Sequence, residues 1–160
     1  VTELIIRAPG TPVAQPRTKA ARIGAFVRVY TPGGANVWKD VIAHFAQQAA
    51  TAAGWAKPTA RAGLCVDIDF HFAKPSGFRK ADLWKFTKPD RDNLDKAVLD
   101  GLVWSGIIHD DAQVVDGRIR KLIDDDWQGV VIRIAFAESP DLPIGHKSNP
   151  MPTAQEAPAI

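Results

Sequence analysis

The densest run of residues able to do chemistry is Pro89-Asp90-Arg91-Asp92-Asn93-Leu94-Asp95-Lys96, followed later by His109-Asp110-Asp111-Ala112-Gln113. Asp90 and Asp92 stand two apart where a loop enters a helix. In extended backbone, side chains at that spacing point the same way, so both carboxylates can face one point. Lys96 comes one helical turn after Asp92 and falls on the same side. Carboxylate oxygens suit hard cations such as Mg²⁺ and Mn²⁺. Asp90, Asp92, Asp110 and Asp111 together could hold one or two of them. A held cation lowers the pKa of its water and stabilises an in-line displacement at phosphorus. Lys96 could then steady charge on the attacking water or the phosphate. The competing reading is structural: an Asp at a helix start is often a cap, and Asp110-Asp111 could be only a turn. A calcium loop of the EF-hand type is excluded, because it needs Asn or Asp at 94 and Gly at 95, where Leu94 and Asp95 stand.

Charge is unevenly laid out. Residues 1–61 hold eight basic and two acidic residues, whereas the rest of the chain is net acidic, for a total of +2. Such asymmetry suits a polyanion met by the basic part. The candidates for that contact are Arg17, Lys19, Arg22 and Arg28 in the N-terminal part, and Arg79, Lys80, Lys85 and Lys88 in the segment 74–91. The latter also carries Phe78, Trp84 and Phe86. Basic residues neutralise phosphates, and exposed aromatics such as Trp84 could stack on or wedge between bases. A satellite core beneath the loop is the alternative for Trp84 and Phe86.

The elements that must position these groups follow from periodicity. Thr2–Ala8 alternates as a strand and stops at Pro9-Gly10. A Pro-, Gly- and Arg-rich segment follows to residue 25, then a second alternating stretch, Ala25–Thr31. Asn36 could cap a helix running to about Gly54, with Trp38, Ile42, Phe45 and Ala49 inward and Lys39, His44, Gln47 and Gln48 solvated. Gly63–Ala73 is the clearest strand: Leu64, Val66, Ile68, Phe70 and Phe72 face one way, and Cys65, Asp67, Asp69 and His71 the other. The Asp67/Asp69 pair is expected to face solvent or arginine. Asn93–Trp104 reads as a second helix with a buried stripe of Leu94, Ala97, Val98, Gly101 and Leu102. Gln113–Ile123 and Gly129–Ala137 read as a hairpin around a solvated turn, Asp124–Trp127.

The order β, β, α, β, α, β, β predicts a single α/β domain of α+β-like, two-layer form, with a mixed sheet and helices mainly on one face. It spans 1–137. Residues 138–160 are proline-rich, have little core to bury and are expected to be a flexible tail. No apolar run is long enough to cross a bilayer, and the first 30 residues lack the pattern of a secretory signal. The single Cys65 argues for a reducing compartment, and the four histidines have no zinc-ligand spacing. A cytoplasmic protein, with no membrane partner, is expected.

The two acidic blocks give the sequence a family likeness. Asp90-Arg91-Asp92-Asn93-Leu94-Asp95-Lys96 and Asp110-Asp111-Ala112-Gln113-Val114 resemble the D-x-D-N-L-x-K and D-D-x-Q-V blocks of the RusA family of Holliday junction resolvases of bacteria and their phages. The spacing between the blocks fits as well. The N-terminal strand, the Pro/Arg-rich segment, Tyr30-Thr31-Pro32 and the helix from about 36 resemble phage-type members. The likeness covers residues 3–137 and excludes the tail. It implies a homodimer in a bacterial host cell that binds four-way DNA junctions and cuts them with Mg²⁺ or Mn²⁺. It maps the family's catalytic aspartates onto Asp90, Asp92 and Asp111, and its essential lysine onto Lys96. Asp110 matches a common acidic neighbour. The loop 76–88 is longer and more aromatic than in the shortest members, and His109 stands where an aromatic or lysine residue is common; both departures bear on substrate preference more than on metal chemistry. The alternatives are a flap or Y-junction nuclease of the same fold, a branched-DNA binder that does not cut, and a Mg²⁺-dependent nucleotide hydrolase. Clustered carboxylates argue against the binder, since they repel phosphates unless a cation intervenes. The extended basic half argues against the nucleotide hydrolase.

Overall fold

The structure, a computed structural model, describes residues 2–16, 19–23, 26–30 and 35–138, with backbone only for 19–23 and 26–30. Arg17, the side chains of Lys19, Arg22 and Arg28, and the tail beyond 138 lie outside the described residues. The chain begins with β1 (Glu3–Pro9), whose alternate residues Leu4, Ile6 and Ala8 are buried. β2 (Lys19–Ile23) and β3 (Phe26–Tyr30) pair antiparallel as a separate ribbon. Next come α1 (Ala35–Ala53), β4 (Leu64–Phe72) and α2 (Arg91–Ser105). A 3₁₀ turn (Asp111–Gln113) leads into β5 (Val114–Asp116), β6 (Ile119–Ile123) and β7 (Gly129–Phe136).

The main sheet has five strands in the order β1-β7-β4, with β5 and β6 sharing the far side of β4. β1/β7 and β7/β4 are antiparallel, whereas β5 and β6 run parallel to β4. The predicted mixed sheet in a single α+β domain is therefore present. Both helices pack on the sheet face carrying Leu4, Ile6, Leu64, Val66, Ile68, Phe70, Ile132 and Ile134, which form one core with Trp38, Ile42, Leu94, Val98 and Leu102. Gly101 is what lets the helices approach: a Cβ there would lie 2.8 Å from Cγ2 of Ile42.

Several sequence expectations are corrected. The strands at 113–123 and 129–137 do not form a hairpin. β4 lies between β6 and β7, and residues 124–128 cross over its end. Asp124 holds the crossing in place: its backbone N–H donates to the Phe72 carbonyl at 2.8 Å, and its carboxylate bonds to His71 Nδ1 at 2.9 Å. The stretch 113–123 is also not one strand. It breaks at Gly117 (φ 145°), where a Cβ would sit 2.0 Å from the Val66 carbonyl oxygen. Asn36 is not a cap, because the helix already includes Ala35. Lys39 is not solvated: it is 4% exposed and donates to Asp100 at 2.6 Å, its ammonium 5.1 Å from the Trp104 ring centre.

On the outer sheet face, Asp69 accepts from Nε of Arg120 at 2.6 Å and Nη1 of Arg133 at 3.1 Å. Asp67 accepts from the Arg118 backbone N–H at 2.8 Å. Burial alone would raise the Asp69 pKa, but the two guanidiniums hold it below the usual carboxylate range. No helix of the described residues is long and apolar enough to cross a membrane.

Candidate active site

Asp90 is the N-cap residue of α2, with φ −72° and ψ 142°, but its side chain makes no capping hydrogen bond. Its carbonyl receives the Leu94 N–H instead. The simple capping explanation for this carboxylate therefore fails. Asp92 differs from expectation in backbone, because α2 begins at Arg91 and not at Asn93. The two carboxylates thus do not project from an extended stretch; one leaves the cap and the other the first helical turn. Both are exposed at the end of α2 where the helix dipole favours negative charge or its ligands.

The second acidic block sits on the 3₁₀ turn. Asp110 does act as a cap: one carboxylate oxygen accepts from the Ala112 N–H at 2.8 Å, and Gln113 answers in a capping box. Gln113 is 6% exposed and explains its own place in the block. Its Oε1 accepts from the His109 N–H at 2.8 Å, and its Nε2 donates to the carbonyls of Thr59 at 2.8 Å and Ala62 at 3.2 Å. That clamp fixes the turn while leaving the Asp111 side chain exposed.

Asp95, within the first block, was given no role by the sequence reading. It stands three residues after Asp92, a spacing that puts it on an adjoining face of the helix. Burial pushes its carboxyl above the usual range; Arg91 opposes this and the negative charge of Asp111 adds to it. Asp95 therefore marks the approach of α2 to the 3₁₀ turn. Lys96 is exposed, and its ammonium lies 3.8 Å from Oδ1 of Asp100, whose other oxygen is held by the buried Lys39.

Ion pairs among the described residues engage Asp67, Asp69, Asp82, Asp100, Asp124 and Asp125. Asp90, Asp92 and Asp111 take part in none of them. Their oxygen-only chemistry and exposure fit a hard divalent cation. They do not form a ready-made cage: among the described residues no three Asp, Glu, His or Cys side chains are gathered closely enough to hold an ion.

Beside Asp90 lies a cavity of 370 Å³ lined in part by Gln15, Lys88 and Asn93. The Gln15 N–H donates to the Asn93 carbonyl at 2.8 Å, which ties the N-terminal segment to the start of α2. Periodicity could not have found Gln15, since it belongs to no regular element.

The segment 74–90 is strapped along β6. The Lys85 N–H donates to the Lys121 carbonyl at 3.0 Å, and the Ile123 N–H to the Leu83 carbonyl at 2.9 Å. This pairing holds the Trp84 backbone against Leu122 and leaves Trp84 57% exposed. Phe86 is 72% exposed and stacks on Phe78 at 4.5 Å between ring centres. The satellite-core alternative is therefore not what these aromatics do. Lys80 and Lys88 are exposed. The Arg79 guanidinium is shared with Asp82 at 3.0 Å, and Lys85 donates to Thr87 Oγ1 at 2.8 Å.

The first turns of α2 thus carry Asp90, Asp92 and Lys96, and the 3₁₀ turn carries Asp111, with a basic, aromatic loop leading into the helix. No curated protein matches the chain. The model of the family described as endodeoxyribonuclease RusA matches residues 9–135, most of the chain and both acidic blocks. By that match the chain belongs to the RusA family of endodeoxyribonucleases.

Proposed function

We propose that this endodeoxyribonuclease resolves four-way DNA junctions by paired, divalent-cation-dependent phosphodiester hydrolysis, acting as a homodimer in the bacterial cytoplasm. The observation that carries the metal-dependent chemistry is the contrast among aspartates. Asp67, Asp69, Asp82, Asp100 and Asp125 are held by lysine or arginine and Asp124 by His71, whereas Asp90 and Asp92 at the start of α2 and Asp111 on the 3₁₀ turn carry no such partner among the described residues. Unpaired carboxylates repel a phosphodiester, so in a DNA-cutting enzyme they call for a cation between them and the backbone.

Asp90, Asp92 and Asp111 would hold Mg²⁺ or Mn²⁺, with the free oxygen of Asp110 as a neighbour. A bound cation supplies an activated water and charge stabilisation at the phosphorus. Lys96, exposed one helical turn after Asp92, would leave Asp100 to bind the phosphate that bears the developing charge. Lys80 and Lys88 would track the DNA backbone, joined by Lys85, by Arg79 on leaving Asp82, and by Arg17, Lys19, Arg22 and Arg28 from the N-terminal part. Trp84 and Phe86 would meet the unstacked bases that an open junction offers and a duplex does not. Two symmetric cuts call for two sites, which a twofold dimer supplies.

The test is cleavage of four-way, flap, Y and linear duplex DNA of matched sequence in Mg²⁺, Mn²⁺ or EDTA. Four-way junctions should be cut in both strands with either metal and left whole in EDTA. Faster cutting of flaps or Y forms would move the substrate assignment, and cutting in EDTA would remove the cation from it.

A further inference from the structure

Lys121, on β6, belongs to neither acidic block nor to the basic segments at 17–28 and 74–91. Its ammonium donates to the carbonyl of Thr87 at 2.7 Å and to the carbonyl of Pro89 at 2.6 Å. Those two carbonyls straddle Lys88, and the second immediately precedes Asp90. The side chain is part-buried, and its pKa is lowered by that burial and by Lys85, with Asp90 pulling the other way. Asp90 itself has no side-chain cap bond to fix it. The backbone that delivers its carboxylate is therefore held from outside the helix.

We propose that Lys121 is a positioning residue for the cleavage site: it gathers the 87 and 89 carbonyls and so sets where Asp90 projects at the head of α2. This rests on the reading of Asp90 as a site carboxylate. An ammonium suits the task because it has three donors and no acceptor. Two donors are used on backbone carbonyls, which in a charge-assisted bond are held more firmly than by a neutral donor. The same residue's own backbone carbonyl accepts from the Lys85 N–H. One residue of β6 thus anchors both the middle and the end of the segment that leads into the site. It is a carbonyl clamp, and its removal should be felt in the rate rather than in DNA affinity.

The experiment compares the full chain with Lys121→Met and Lys121→Arg. Lys121→Met keeps the apolar stem and removes the donors; Lys121→Arg restores donors and charge. Single-turnover junction cleavage at saturating protein should fall by about tenfold to a hundredfold in Lys121→Met, the scale of a small misplacement of a reacting group. Junction affinity measured in Ca²⁺ should stay within about twofold, an energy difference of well under 1 kcal/mol. Amide hydrogen exchange should quicken over 86–92 and stay unchanged in β4 and β7. Lys121→Arg should recover most of the rate and the exchange protection. Should Lys121→Met not fold, Lys121→Leu, which also lacks donors, takes its place with the same readouts. Unchanged exchange over 86–92 would overturn the clamp, as would a rate loss accounted for by weaker junction binding, or a Lys121→Met rate equal to wild type. The exchange arm needs no cleavage, so a wild-type chain that fails to cut junctions would count against the proposed function and leave the clamp to be judged separately.

Discussion

Whether a carboxylate is structural or available is decided by its partners. Asp69, Asp100 and Asp124 are each satisfied by cations or backbone donors, and Asp110 spends one oxygen on the Ala112 N–H. Asp90 has the position of a cap and not the bond of one. The sequence reading could place Asp90, Asp92 and Asp111 in their blocks, because the block spacing is local. Residue type and spacing alone could not tell Asp110 from Asp111, which only the family likeness separated, since the cap geometry depends on how the chain turns. Nor could it find Lys121, whose carbonyl partners lie more than thirty residues earlier. The same logic bears on Trp84. The residue is exposed while its backbone is strapped to β6, so its bulk is not needed for the core. Trp84→Ala should lower the preference for four-way junction over linear duplex and shift the melting temperature by only a degree or two. The affinity loss should be about 1–3 kcal/mol, the range for one aromatic–base stack. Titrations of both DNA forms and a thermal melt check this; equal loss on both forms would show that Trp84 does not read the junction.

Alternation tells which residues share a face, not which strands are neighbours. That is why β4 was legible in full, with its apolar residues buried and its polar residues outward, while the partners of β6 and β7 were misassigned. Two strands close in sequence read as a hairpin by default, and only the tertiary crossing over the end of β4 separates them. The break at Gly117 had a local signal, Asp116-Gly117, lying inside an otherwise alternating stretch. Gly117→Ala should cost about 2 kcal/mol or more, since the added Cβ would collide with the Val66 carbonyl and the backbone has positive φ. Chemical denaturation measures it, and a neutral result would mean that β5 and β6 do not meet β4 as described. The outer face makes a pH prediction. The folded-state pKa of Asp69 is depressed, so its stabilisation is present above the unfolded carboxylate pKa and is lost as pH falls through the folded value. Wild-type melting temperature should therefore drop below about pH 4, the reference pKa of an unfolded Asp. Asp69→Asn should start lower at pH 7 and show a shallower fall over that range.

At the scale of the whole molecule, one sheet face is spent on two helices and the core, and the proposed site residues lie on the start of α2, on the 3₁₀ turn and on the loop strapped along β6. The helices are braced against each other by the Lys39–Asp100 pair and the close approach at Gly101, and Asp100 reaches from that brace to Lys96. The two-layer form, the helices and the core stripes were legible because burial repeats along the chain. Which distant segments lie beside α2 was not, because that depends on the sheet order. The central claim is that the uncommitted carboxylates hold the cation that cuts DNA. Asp92→Asn tests it most directly: it keeps the side-chain size and removes the charge a cation needs. On four-way junctions in Mg²⁺ or Mn²⁺, cleavage should fall by at least about a hundredfold, while junction binding in Ca²⁺ or EDTA stays near wild type. Wild-type cleavage by Asp92→Asn would contradict the account.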